Sequence, residues 1–183
     1  MRQARGLTLL ELLIALLVLS VAMGIALPPL QQTLNRSAVR CDTRELLRSL
    51  RLARQTAVAT GTRTALCGID DNNDCSGQWG RLVAIFGDVN DNGRIDSGEQ
   101  VIRLWQRSPA GVAMRWQGFG PGYVRFGASG TAAANGAFTL CPRDGDRRAA
   151  RQVILNRSGR AYASRDQDGD GVVENGADKE PAC

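Results

Sequence analysis

No histidine occurs in the 183 residues, and lysine occurs once, at Lys179. Without an imidazole, a serine or cysteine nucleophile lacks its usual base, and the zinc sites that histidine helps to build are disfavoured, the more so because the five cysteines are scattered rather than closely paired. Neither a G-x-S-x-G elbow nor a glycine-rich strand-to-helix phosphate loop is present. Acidic pairs such as Asp70-Asp71 and Asp166 with Asp168 lie in polar stretches that predict exposure, whereas acid/base catalysis draws on buried pairs. The sequence therefore reads as non-enzymatic. Aromatic residues make up only 5%, against 21 glycines, so many turns and a small β-rich core are expected. The net charge is +5, and all but one of the 23 basic residues are arginine, a bias that genome composition explains as readily as phosphate binding.

A single long apolar run is present, from Leu12 to Leu27, broken only by Ser20 and Gly24 and preceded at once by a carboxylate, Glu11. From Leu7 to Leu27, about 21 residues at 1.5 Å rise match the ~30 Å hydrocarbon core of a bilayer. A charge near the bilayer interior costs up to roughly 2.5–3.5 kcal/mol, so Glu11 is retained only if it meets a partner, and the segment supplies none. Arg2 and Arg5 ahead of the run, with no acid beside them, hold the amino terminus in the cytoplasm and send the rest outward. A cleaved secretory signal is the rival reading, and an acid inside its apolar region weakens it.

The segment Gly6-Leu7-Thr8-Leu9-Leu10-Glu11 resembles the processing signature of type IV pilins and type II secretion pseudopilins. That resemblance implies cleavage between Gly6 and Leu7 by a prepilin peptidase, a leader of residues 1–6, and a mature, N-methylated chain whose Glu11 meets the terminal amine of a neighbouring subunit. Leu7 stands where the family usually has phenylalanine. Pro28 falls where pilins often carry a helix-weakening proline.

Beyond Pro28-Pro29 a helical pattern resumes from Leu30 to about Ala59, with Val39, Leu46, Leu50, Ala53 and Ala57 on one face. Arg36, Arg40, Arg44, Arg48, Arg51 and Arg54 form a separate basic arc, read as a solvated face partly paired with Asp42 and Glu45. After Gly61 the period changes to short strands between Gly, Pro and Asx clusters, over 63–67, 80–86, 101–106, 112–117, 123–126, 137–141, 152–155 and 160–163. The fold class is thus α+β: a long N-terminal helix, membrane-spanning in its first half and amphipathic in its second, packed on an antiparallel β-sheet head. The organisation expected is a leader over 1–6, a membrane or filament-core helix over 7–28, an amphipathic helix over 29–60, a β-rich head over 61–165 and a polar Asp/Gly-rich tail over 166–183. Among the cysteines, Cys67 and Cys75 flank a short polar loop and are the favoured disulfide; Cys141 with Cys67, and Cys41 with Cys183, remain open.

The stretch from Trp79 to Phe86, then Phe138-Thr139-Leu140-Cys141 and Val153 to Arg160, is similar to the GspH/FimT family of minor pilins, over nearly the whole chain to Ala163. The resemblance implies a pilus subunit of the inner membrane and then the cell surface, partnered by other minor and major pilins, and incorporated near the tip to prime assembly. A type II secretion pseudopilin is the nearest alternative. Double-stranded DNA is another partner that the FimT branch implies, through a C-terminal Gly-Arg-x-Arg element; here the matching place is Gly159-Arg160-Ala161-Tyr162, with the second arginine missing. Arg157, Arg160 and Arg165 could still bind phosphate and Tyr162 stack on a base, against the repulsion of Asp166, Asp168 and Asp170. Calcium is the one candidate cofactor. Residues 88–99 fit the EF-hand loop pattern, with donors at Asp88, Asn90, Asn92, Asp96 and Glu99, although strands rather than helices flank them and an Asx-turn hairpin accounts for the same residues. A second loop from Asp166 has the opening residues but places Ala177 at the closing position.

Overall fold

The computed structural model describes residues 8–72, 74–80, 82–107, 111–120, 122–174, 181 and 183, and for 24–30 the backbone alone. The chain divides into two compact units, residues 1–34 and residues 35–183.

One helix, α1, runs Leu9–Thr60. Thr8 caps it: the Glu11 amide donates to the Thr8 hydroxyl at 3.3 Å and to the Thr8 carbonyl at 3.1 Å, which satisfies one orphan donor of the first turn. The single long helix that the sequence reading expected is present, and its backbone stays helical through Pro28-Pro29, where the apolar pattern gives way to the amphipathic one. Proline fixes φ near the helical value, so the prolines cost the hydrogen bonds that the carbonyls of Gly24 and Ile25 would accept without forcing the helix to end. The helix ends at Gly61, whose φ of 67° is the left-handed conformation that glycine adopts without penalty.

Within residues 35–183, Val39, Leu46, Leu50, Ala53 and Ala57 are each at most 1% exposed, the stripe that the spacing predicts. They pack on Leu66, Val83, Ile85 and Phe126 from one sheet, and on Phe138, Leu140, Val153 and Leu155 from another. Each fully buried Leu, Ile or Phe contributes roughly 1.5–3 kcal/mol.

The strands are β1 (Thr64–Ile69), β2 (Cys75–Ser76), β3 (Leu82–Gly87), β4 (Val101–Gln106), β5 (Ala113–Gly118), β6 (Val124–Phe126), β7 (Gly136–Cys141), β8 (Arg151–Leu155) and β9 (Ala161–Ala163). In the first sheet, order β2-β1-β3-β4, the strand β1 pairs along one edge with β3 and along the other with both β6, at Thr64–Leu66, and β2, at Gly68–Ile69. The second sheet has the order β5-β7-β8-β9, and all its pairs are antiparallel. The eight expected strands are found with ends shifted by a residue or two; β2 was not expected. Because side chains alternate across a strand, Ala65, Cys67, Ala84 and Phe86 form a second, smaller core on the face of the first sheet away from α1, covered by Ile95 and Tyr123.

The basic arc of the helix is exposed at Arg40, Arg44, Arg48 and Arg51. Its expected pairing holds for Glu45, which bridges Arg48 and Arg103, but not for Asp42. Asp42 is buried and accepts from Arg107 Nη2 at 2.9 Å and Nε at 3.3 Å, while Arg107 also donates to the carbonyls of Trp79, Gly80 and Val112. The favoured Cys67–Cys75 disulfide is present. The other cysteine alternatives are corrected: Cys141 joins Cys183, and Cys41 is free and exposed.

Candidate functional site

The first candidate is the start of α1. Eleven large apolar side chains between Leu9 and Met23 are each more than half exposed. Glu11, in the first helical turn, makes no ion pair among the described residues. Gly6 and Leu7 lie outside the described residues, as does the side chain of Pro28. Among the described residues no helix is long and apolar enough to cross a membrane; the described apolar side chains stop at Met23, so the Leu7–Leu27 stretch lies partly outside them.

The second is the loop over residues 88–99. It folds across the outer face of the first sheet, with Ile95 in the smaller core and the Gly93 carbonyl accepting from the Cys75 amide at 2.9 Å. Asp88 is fully buried, and its carboxylate accepts from the amides of Asn92 at 3.0 Å and Gly93 at 3.2 Å. Burial pushes its pKa above the ordinary carboxylate value, the charges of Asp91 and Glu99 adding to the effect and the two amides opposing it. The side-chain amides of Asn90 and Asn92 both donate to Asp96, at 2.8 and 2.7 Å, and hold its pKa down. Glu99 closes the loop by accepting from the amides of Val89 at 2.9 Å and Asp96 at 3.1 Å. Arg94 turns away to pair with Asp74 at 2.6 Å. The five sequence-chosen donors are therefore brought together in a network of Asx turns, and most of their oxygens are engaged by the loop itself.

The loop from Asp166 repeats that wiring. Asp166 accepts from the amides of Gly169 at 2.7 Å and Gly171 at 2.9 Å, Asp168 from Asp170 at 3.1 Å, and Asp170 from Val172 at 2.7 Å. Here the sequence reading missed a residue: closure comes from Glu174, eight positions after Asp166, not from Ala177, which lies outside the described residues. Glu174 is buried and accepts from the Gln167 amide at 2.8 Å, and oxygens of Asp166, Asp168, Asp170 and Glu174 lie within 4.8 Å of one another. The signal was available, because Asp96 stands at the same offset from Asp88. Such oxygen-only donors suit a hard divalent cation such as calcium.

The arginine candidates divide. Arg160, Tyr162 and Arg165 line one cavity of about 530 Å³ at the β9 edge, together with Ile154 and Glu174, and the Arg160 guanidinium lies 5.7 Å from the Tyr162 ring centre. Arg157 does not line it; it sits on the turn after β8, where its carbonyl accepts from the Ala132 amide at 3.0 Å. That turn is shaped by Gly159, with a φ of 76° and the Gly130 carbonyl so close that a Cβ would lie 2.0 Å from it. Arg151 belongs elsewhere. On β8 it shares the helix-facing side with Val153 and Leu155, whereas Ile154, paired with Tyr162, faces the opposite way.

Residues 42–159 match the family model described as type II transport protein GspH, and residues 1–27 match the prokaryotic N-terminal methylation motif. The pilin-like protein PilA1 of Thermus thermophilus is 38% identical over 96 residues, covering 52% of this chain; the chain spans only 56% of that relative's length. In fold, the chain is similar to the type IV minor pilin FimU of Pseudomonas aeruginosa, with a TM-score of 0.58 and 19% identity over 80% of this chain and 94% of that one. A second crystal form of FimU aligns with a TM-score of 0.51 and 20% identity, over 70% of this chain and 91% of that one. These are structural subunits, not enzymes. By the match over residues 42–159, behind an N-terminal methylation motif, the chain belongs to the GspH family of pilin-like proteins.

Proposed function

We propose that this chain is a minor pilin of a type IV pilus, cut between Gly6 and Leu7 by a prepilin peptidase, held in the inner membrane by residues 7–27 with its head outside, and taken into the filament at or near the tip to prime assembly. One observation carries the reading: eleven exposed apolar side chains and a lone carboxylate, Glu11, lie on one helical segment, within a methylation motif and ahead of a GspH head. Such a surface is useful only against lipid or other helices. Extraction from membrane to filament exchanges one apolar contact for another, and Glu11 neutralises the amine of a neighbour.

The test is incorporation into sheared filaments. Gly6→Val is expected to leave the chain uncut in its mass spectrum and absent from filaments. Glu11→Ala is expected to be cut normally and still be absent. Incorporation of the Glu11→Ala chain at wild-type level would overturn the assembly role. If the chain is found only with secretion components, it serves a type II secretion pseudopilus instead, as the family description allows.

A DNA-binding role has one observation in its favour, the arrangement of Arg160, Tyr162 and Arg165 around one cavity. Binding of residues 35–183 to double-stranded DNA that falls steeply with salt and collapses in Arg160→Ala/Arg165→Ala would support it; salt-independent or absent binding would end it. Calcium is proposed at Asp88, Asn90, Asn92, Asp96 and Glu99, and at Asp166, Asp168, Asp170 and Glu174. The second loop is favoured, because oxygens of its four carboxylates lie within 4.8 Å of one another, whereas the first loop offers three carboxylates and two amides. Calorimetric titration with calcium is expected to lose its stronger site in Asp168→Asn.

A further inference from the structure

We propose that the open edge of β5 is a strand-addition site, which takes an extended acidic segment of a neighbouring pilin subunit into the cleft beside it. The inference rests on the pilin reading above for the presence of that neighbour, and adds to it a main-chain contact made by the head.

The strand β5 ends the second sheet, with β7 on one side and no strand on the other. In an antiparallel pair the backbone groups point alternately toward the partner and away from it. The Phe119 amide donates to the Asn135 carbonyl and continues the β5–β7 register, so Ala113, Arg115 and Gln117 bond to β7, whereas Met114, Trp116 and Gly118 turn their N–H and C=O groups to the open side. Val112 has the same phase: its carbonyl accepts at 2.7 Å from Arg107, which also holds the carbonyls of Trp79 and Gly80. Beyond it, the open-side groups of Met114 and Trp116 meet no partner among the described residues. A row of unpaired main-chain groups is a template for another strand.

That edge lines a cleft of about 860 Å³, whose opposite wall is residues 77–80. Both walls are fixed in advance. Trp79 donates its indole N–H to the Gly122 carbonyl at 3.0 Å, and the rings of Trp79 and Trp116 each stand 4.6 Å from Phe138. The Trp116 ring lies against Gly118 and Gly136, where a Cβ would fall 2.3 and 2.8 Å from it. Its own indole N–H is buried without a hydrogen bond among the described residues, which leaves one more unpaired donor on the wall. A preformed cleft spends little ordering entropy on what enters it.

Charge selects the occupant. No carboxylate occurs among the described residues that line the cleft, and the cation of Arg107 is matched by Asp42. Arg115 is exposed on β5 and has no acidic partner among the described residues. Opposite charges on directly facing residues stabilise a strand pair, so an added strand gains most from an acidic side chain across from Arg115.

The experiment uses residues 35–183, which contain the buried core from Val39 to Val173. Its probes are overlapping twelve-residue peptides that span the heads of the other pilins of the same cell, titrated to millimolar concentration and followed by NMR. At least one acidic peptide should shift the amides of Met114 and Trp116 and the Trp116 indole, and slow the exchange of those two amides roughly tenfold. N-methylation of every second peptide residue should abolish binding in the phase that faces β5 and preserve it in the other. Arg115→Glu should weaken binding about tenfold, and Arg157→Glu, an equal change of charge on the turn after β8, less than twofold. Both arginines are exposed, and an unchanged circular dichroism spectrum checks the fold. Absence of any bound peptide, equal loss in the two methylation phases, equal loss in the two charge variants, or the same amide protection from self-association of the head alone would each overturn the proposal. Filament incorporation of the full chain is read separately, so failure here leaves the pilin reading standing.

Discussion

Removing the Asp42 carboxylate should be the most damaging single change available on the polar side of α1. Asp42 and Arg107 have side chains 6% and 5% exposed and meet at 2.9 Å, and Arg107 also ties together the carbonyls of Trp79, Gly80 and Val112. One guanidinium thus fastens the helix to the segment before β3 and to the turn between β4 and β5. Asp42→Ala leaves that cation buried with dipoles but no counter-charge, at a cost of about 3–5 kcal/mol. A domain of this size loses roughly 2–4 °C in Tm per kcal/mol, so the fall should lie between about 6 and 20 °C. Urea and thermal unfolding of residues 35–183 read both numbers. Arg107→Met alone should cost a similar amount, because three carbonyls and one carboxylate lose their donor. Combining Arg107→Met with Asp42→Leu removes the uncompensated charges, and the pair should be less destabilising than the sum of the singles by about 2–3 kcal/mol. A cost below 1 kcal/mol for Asp42→Ala, or simple additivity, would refute the argument that this pair acts as a unit.

Three further outcomes are expected. Cys141→Ser should destabilise more than Cys75→Ser, because Cys141–Cys183 closes a separation of 42 residues and Cys67–Cys75 one of 8; the chain-entropy relation gives about 4 against about 2.6 kcal/mol, read by chemical denaturation under oxidising conditions. Asp144 titrates below the ordinary carboxylate value because Asn35 donates to it, so its contribution to stability is present above the unfolded value of about 3.9 and is lost as pH falls through the folded one; Asn35→Ala should raise the Asp144 pKa by NMR titration and narrow that window. Gly159→Ala combines a left-handed φ with collision against the Gly130 carbonyl, and about 1–3 kcal/mol of lost stability is expected in the same denaturation assay, together with altered contact between Arg54 and Gly130.

What could be read from the chain followed the range of each signal. The buried stripe from Val39 to Ala57 and the strand positions were legible because periodicity and turn residues act within a few positions. β2 was missed because two residues have no period; it exists only by pairing with Gly68 and Ile69. Asp42 was assigned to neighbouring arginines on its own helix, when its partner stands 65 residues away, a distance at which spacing carries no information. Cys183 belongs to the same class of error. Glu174 is a different case: the offset that defines it is present in the 88–99 loop, and matching the longer EF-hand pattern hid it. Pro28-Pro29 removes donors and so weakens the helix, but its fixed φ is also that of a helix, and the one long helix read across it is found.

The separation of the core from the first unit bears on how assembly is driven. Among the described residues the buried hydrophobic core runs from Val39 to Val173, and the large apolar side chains from Leu9 to Met23 are exposed. Burying eleven such side chains is worth, as an upper bound, roughly 15–30 kcal/mol, enough to hold the chain in either a bilayer or a helical filament core. That quantity nearly cancels in the transfer between the two, because both surroundings are apolar. The direction of transfer then depends on what differs between them. On the proposed reading, Glu11 is unpaired in lipid and neutralised beside a neighbour's amine. That difference favours the filament, so a chain lacking Glu11 should remain in the membrane.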